Sequence, residues 1–137
     1  MLSRKTRYAM LSLVKLAGNY GKGPMLISDI SKSEIIPQKF LEAILLDLKN
    51  IGILGSKVGK SGGYYLRRKP EDISLFEVVC HFEGGFALVP CTSEDYYESC
   101  DHCKDENKCT IRKVFQDLHS SIIGKLKSIS IADLIIP

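Results

Sequence analysis

Residues 37–68 read PQKFLEAILLDLKNIGILGSKVGKSGGYYLRR, and this stretch decides the fold. Pro37 suits the first turn of a helix, where its missing N–H is no loss and its φ is already helical. Leu41, Ile44, Leu45 and Leu48 recur at helical spacing, which predicts a helix with one buried stripe that Asn50 and Gly52 bring to an end. Gln38, Lys39, Glu42 and Lys49 fall elsewhere on its surface. Ile53–Val58 and Gly63–Arg68 then read as two short strands. Gly59-Lys60-Ser61-Gly62 joins them as a hairpin with a flexible basic tip.

Upstream, Tyr8, Leu11, Val14 and Ala17, with Met10 and Leu13, recur at helical spacing from Thr6 to Asn19, and Gly18 and Gly21 stop the run. Ile27–Ser33 suits a short second helix with Ser28 as N-cap and Asp29 in its first turn. Three closely spaced helices followed by a hairpin predict a mainly α protein with a winged helix-turn-helix. Its third helix is the candidate reader of the DNA major groove, and Lys57 and Lys60 on the wing can reach the backbone or minor groove.

Charge agrees with this. Residues 1–70 hold 13 Lys and Arg against 4 Asp and Glu, whereas residues 71–137 hold 6 against 12. A basic first half is the electrostatic footprint of a phosphate-backbone binder, and the acidic half should lie away from the polyanion. No apolar run approaches the roughly 20 residues of a membrane span. The N-terminal MLSRKTRYAMLSLVKLA is interrupted by Ser12 and Lys15 and lacks a small-residue cleavage site, so it reads as a helix of a cytosolic protein.

Beyond the wing, Ile73–Phe82 reads as a fourth helix with Leu75, Val78 and Val79 inward, Cys80 as a small core residue and His81 on its surface. Thr110–Ser128 reads as a long helix in which Ile111, Val114, Phe115, Leu118, Ile122 and Leu126 form an apolar stripe. Such a stripe calls for a partner, and were that partner a second copy related by a two-fold axis, the double-stranded operator would be near-palindromic. Ser130 and Asp133 suggest a capped final turn around Ile131–Leu134. The expected division is a DNA-binding domain at 1–70, a linking helix at 71–90, a cysteine-rich sensor loop at 91–109 and a dimerisation helix with its terminal turn at 110–137.

Four of the five cysteines, Cys91, Cys100, Cys103 and Cys109, form a C-x8-C-x2-C-x5-C pattern just before the long helix. An odd cysteine count without a secretion signal argues against a disulfide framework. Thiolates select iron–sulfur clusters, zinc or Cu(I), and four of them complete an S4 site.

The segments SRKTRYAMLSLVKLA, FLEAILLDLKNIGIL and VGKSGGYYL resemble the Rrf-two family of bacterial winged-helix regulators. Its members include an iron–sulfur biogenesis regulator, nitric-oxide-sensing repressors and a cysteine-metabolism repressor. The resemblance extends over essentially the whole chain and implies a homodimer with crossed C-terminal helices. It also implies DNA contacts from Arg4, Lys5, Arg7, Gln38, Lys39, Phe40, Glu42, Lys57, Lys60, Gly62, Gly63 and Tyr64. Many relatives carry an Arg just before the first wing glycine; Val58 stands there, so phosphate contact by the two lysines is expected instead. The Glu42 counterpart helps relatives choose between DNA sequence classes, where it can accept from a cytosine amino group; a solvated carboxylate is the alternative.

The resemblance matches Cys91, Cys103 and Cys109 to the three cysteines that hold a cluster in relatives, either 2Fe-2S or 4Fe-4S. In some relatives a His three residues after the last cysteine is the fourth ligand, and in others an acidic residue of the partner chain. Arg112 and Arg7 occupy those positions and cannot ligate, which leaves Cys100, or less favourably His102. Alternatives are the same regulator with zinc or a thiol redox switch, a Cys100–Cys103 thiol oxidoreductase lacking the usual βαβ setting, and a winged helix that binds protein only. No catalytic constellation or phosphate-cradling loop is visible, so no enzyme is expected.

Overall fold

The computed structural model describes residues 1–136 of the chain. Ser3 caps the first helix, α1 (Arg4–Gly18), by accepting from the Thr6 amide. Its buried face is Ala9, Leu13, Leu16 and Ala17 together with Thr6 and Ser12. This corrects the expected stripe: Leu11 is 44% exposed, and Ser12 replaces it inside because its hydroxyl donates to the Tyr8 carbonyl at 2.7 Å. That internal bond removes the main cost of burying a hydroxyl.

Helix α2 (Ile27–Glu34) begins one residue before the expected cap. Leu26 stands at the N-cap position without a side-chain hydrogen bond, so Ser28 lies inside the helix. The turn into α3 (Gln38–Asn50) puts Ile35 at φ 56, a left-handed conformation that costs a β-branched residue about 1–2 kcal/mol. Two bonds hold it: Ile36 N–H donates to the Ser31 carbonyl, and the Ser31 hydroxyl donates to the Ile36 carbonyl at 2.6 Å. The buried stripe of α3 is Leu41, Ile44, Leu45 and Leu48, as its spacing predicts.

Strands β1 (Leu54–Lys57) and β2 (Gly63–Leu66) pair antiparallel, Leu54 opposite Leu66 and Lys57 opposite Gly63. Met25 and Tyr64 exchange backbone hydrogen bonds of 2.8 and 2.9 Å, which ties the α1–α2 connection to the wing. Gly63 is required there. At φ 131 a Cβ would fall 2.0 Å from the Met25 carbonyl oxygen.

Helix α4 (Leu75–Glu83) is capped by Ser74 and buries Leu75, Val78 and Val79. The long α5 (Thr110–Ser128) returns along it. Leu75 N–H donates to the Ile129 carbonyl and Ile131 N–H to the Ile73 carbonyl, so the chain end is stitched to the start of α4. Ser130 and Asp133 form the expected capping box, and fully buried Ile131 joins one core with Leu13, Ile44, Ile73 and Val78. The result is a mainly helical winged helix-turn-helix with a two-stranded wing and a long C-terminal helix. Among the described residues no helix is long and apolar enough to cross a membrane.

The tip of α4 grips the start of α1. Glu83 Oε1 accepts from the Ser3 amide at 2.8 Å and from the hydroxyl of buried Thr6. A carboxylate there also faces the positive end of α1. The Thr6 hydroxyl, and after it the Ser3 amide, hold the Glu83 carboxyl below the usual carboxylate range. A lowered folded-state pKa means that ionised Glu83 stabilises the fold above its ordinary value near 4.3, and that this contribution is lost as pH falls through the folded value. Glu83→Gln should therefore lower stability in urea by about 1 kcal/mol at pH 7. The gap between wild type and variant should shrink in parallel unfolding curves on acidification below about pH 4; a gap that holds constant would exclude the carboxylate's role.

Candidate DNA-binding face and thiol cluster

The predicted DNA-contacting residues divide by environment. Arg4 and Arg7 are exposed on the first turn of α1, and Gln38, Lys39, Phe40 and Glu42 are exposed on the first half of α3. Phe40 packs edge-on against Tyr8 of α1, with ring centroids 5.6 Å apart. Lys5, Lys39, Phe40 and Ala43 border one shallow depression, so α1 and α3 share this surface. Lys5 is partly committed inward: its ammonium lies 3.7 Å from Asp47 and 5.5 Å from the centre of the Phe82 ring. Asp47, one turn beyond Ala43 on α3, also meets His81 of α4 at 3.0 Å. His81 therefore does more than line a surface, since it joins α4 to α3.

On the wing, Lys57 and Lys60 are exposed, whereas Gly62, Gly63 and Tyr64 hold the hairpin's shape. Gly62 is buried in the turn, its amide donating to the Gly59 carbonyl, and Tyr64 packs against the core. Lys57 and Lys60 border a groove with Asn19 and Lys22 of the α1–α2 connection. Lys22 escaped the sequence reading. Only the pairing of Met25 with Tyr64 carries it to the wing, and the one signal available was its place in a glycine-rich basic turn.

The connection between α4 and α5 carries the thiols. Cys91 lies in a 3-10 turn at Pro90–Thr92, and a second such turn at Glu106–Lys108 precedes Cys109. Cys109 is the N-cap of α5, its sulfur accepting from the Arg112 amide at 3.4 Å. Cys91, Cys100, Cys103 and Cys109 all line a single cavity of about 270 Å³. All four are free thiols; Cys100 is exposed and the others are half-buried. Burial is the main cause that raises the Cys103 thiol pKa, and Cys109 beside it pushes the same way.

Arg112, at the position of the relatives' histidine, braces the loop instead. Its Nε donates to the Cys91 carbonyl at 3.3 Å and its guanidinium lies 3.9 Å from the Glu106 carboxylate. His102 is exposed. Among the described residues no three His, Cys, Asp or Glu side chains converge as a ready-made metal site. The donor set fits a thiophilic metal centre chemically, four thiols around one cavity, while the side chains are not gathered at ligand distance. Cys80 departs from expectation: it is half-buried and lines a different cleft between α4 and α5 instead of the core. Its place on α4 faces α5, which leaves this stretch uncovered.

The sequence model of the Rrf2 family, described as an iron-dependent transcriptional regulator, matches residues 2–137. A Rhodobacter capsulatus protein described as rrf2-like is 37% identical over 138 residues, covering 98% of this chain and 92% of that protein. The HTH-type transcriptional regulator IscR of Aliivibrio salmonicida is 27% identical over 135 residues, covering 98% of this chain and 77% of its own. The structure of CymR, the global cysteine regulator of B. subtilis, matches with a TM-score of 0.82 at 25% identity, over 98% of this chain and 95% of that one. These relatives are transcriptional regulators, not enzymes. With the family's sequence pattern running through head, wing, thiol loop and final helix alike, the chain belongs to the Rrf2 family of DNA-binding transcriptional regulators.

Proposed function

We propose that the protein is a homodimeric regulator that binds a near-palindromic operator and whose affinity is set by an iron–sulfur cluster held by Cys91, Cys100, Cys103 and Cys109. The observation that carries this reading is that all four thiols of the loop line one cavity at the N-terminus of α5. Soft thiolates are the ligands that iron–sulfur centres require, and the family's description as an iron-dependent transcriptional regulator points the same way. When bound, the cluster supplies a redox-reactive centre. The protein's own part is to hold the loop: Arg112 braces Cys91 and Glu106, and Cys109 caps α5. Zinc in the same four-thiol site is the second reading, favoured by the all-sulfur donor set.

Dimerisation rests on α5. Over nineteen residues it fully buries no side chain within its own chain, and Ile111, Val114 and Leu118 are 66, 56 and 46% exposed. Apolar residues spaced in this way along one helix suit a coiled-coil-like seam with a second copy. On DNA, α3 would enter the major groove through Gln38, Lys39, Phe40 and Glu42, with Arg4, Lys5 and Arg7 beside it. Lys57 and Lys60 would hold phosphates, with Gly62, Gly63 and Tyr64 shaping the wing.

Phosphate contacts leave a signature in salt. Lys57→Ala with Lys60→Ala should reduce the slope of log affinity against log salt by roughly one unit per lysine in each head, with operator preference retained. Fluorescence anisotropy on labelled duplex measures it, and an unchanged slope would remove the wing from the interface. For the thiols, protein purified without oxygen should contain iron and acid-labile sulfide and absorb in the visible. The Cys91, Cys103 and Cys109 triple serine variant should lose the colour and alter its operator affinity. Zinc in place of iron would select the second reading, whereas full colour and unchanged affinity in the variant would end both.

A further inference from the structure

Helices α4 and α5 and the connecting segment enclose a cleft of about 300 Å³ that shares no residue with the thiol cavity. Phe76 and Cys80 come from α4, His119, Ile123 and Lys127 from α5, and Asp95 from the connection. Phe76, Phe86 and Ile123 give it an apolar patch beside a larger polar surface to which Glu94 of the connection also contributes. Among the described residues neither Lys127 nor Asp95 makes an ion pair. Nδ1 of His119 is buried with no hydrogen-bond partner, and the ring is held in place by stacking on Phe86 at 6.1 Å. The Lys127 ammonium lies 4.7 Å from the centre of the Phe76 ring, a contact that positions the charge without neutralising it. Burial raises the Cys80 thiol pKa, Asp95 adds to this and Lys127 opposes it.

Native proteins leave few buried polar groups unpaired, and small-molecule sites combine apolar walls with a few polar groups that fix orientation. A lone anion would face the Asp95 carboxylate, and no three ligating side chains converge here for a metal ion. A molecule carrying both charges would set its cation at the Glu94 and Asp95 side and its anion at Lys127. We propose that this cleft binds a free α-amino acid with an apolar side chain. Its carboxylate would meet Lys127, its ammonium would donate to Asp95 and to Nδ1 of His119, and its side chain would lie among Phe76, Phe86 and Ile123. Such an occupant bridges α4, α5 and the segment entering the thiol loop, and so forms an input separate from whatever the thiols hold.

Calorimetry on the freshly purified full chain tests this with L-leucine, L-methionine and L-phenylalanine. Saturable binding of at least one, with a matching rise in Tm, is expected. N-acetyl-leucine and leucinamide each remove one charge and should bind at least about tenfold more weakly than leucine, as should leucine to Lys127→Gln and Asp95→Asn. Circular dichroism confirms that the variants fold, and if they do not, the two derivatives decide the matter on wild-type protein. No binding by any of the three amino acids, or equal affinity for leucine and its derivatives, would overturn the site. Operator binding and iron content of the same preparations report on the DNA and cluster readings independently.

Discussion

Two carboxylates at the junction of α1, α3 and α4 organise the molecule. Glu83 closes the tip of α4 onto the first turn of α1 through the Ser3 amide and the Thr6 hydroxyl. Asp47 fastens α3 to Lys5 of α1 and His81 of α4. The surfaces of α1 and α3 that would face DNA are thus held relative to one short helical tip. Individually these partly exposed contacts are weak. Together they add directional contacts to the packing of α1, α3 and α4 in the shared apolar core.

The tip is also where the thiol loop begins. Gly84 ends α4 in a left-handed conformation, and Gly85, at φ 116, lies where a Cβ would stand 2.6 Å from the Asp95 carboxylate. The loop therefore packs against the hinge from which it starts. Its other end leads into the N-terminus of α5, whose far end is stitched by Ile129 and Ile131 to the start of α4. Under the proposed function, ordering or loosening this four-thiol segment would be felt at the head through the α4 tip from which it starts. Coupling of this kind requires an element whose two arrangements both sites bias, and the α4 tip is the candidate for that element.

Much of the fold was legible because its signals are local. The stripe of α3 is purely apolar, and the spacing of Leu41, Ile44, Leu45 and Leu48 leaves one way to bury it. The capping box at Ser130 and Asp133 was readable for the same reason. In α1 the reading failed because buried Thr6 and Ser12 are polar residues satisfied by partners that hydrophobicity cannot reveal, and Leu11 was placed inside in their stead. Ser28 has the right chemistry for the cap of α2 but stands two positions past Leu26, the residue at the N-cap. The thiol loop lay at the limit: its spacing follows no ribbon, so only the fold shows that Cys100 shares a cavity with the other three. Cys80 and Lys22 depend on contacts between distant segments and could not be placed from local pattern.

Under the proposed function, the state of the thiol loop would reach the DNA face through the α4 tip. Operator affinity is best compared in protein prepared anaerobically with its metal–sulfur centre and in the same protein after the centre is removed, for wild type and for the Asp47→Asn, Glu83→Gln double variant. A several-fold ratio between the two states in wild type that falls toward one in the variant is the predicted result. A ratio of the same size in both would contradict transmission through the tip and place the coupling elsewhere in the fold.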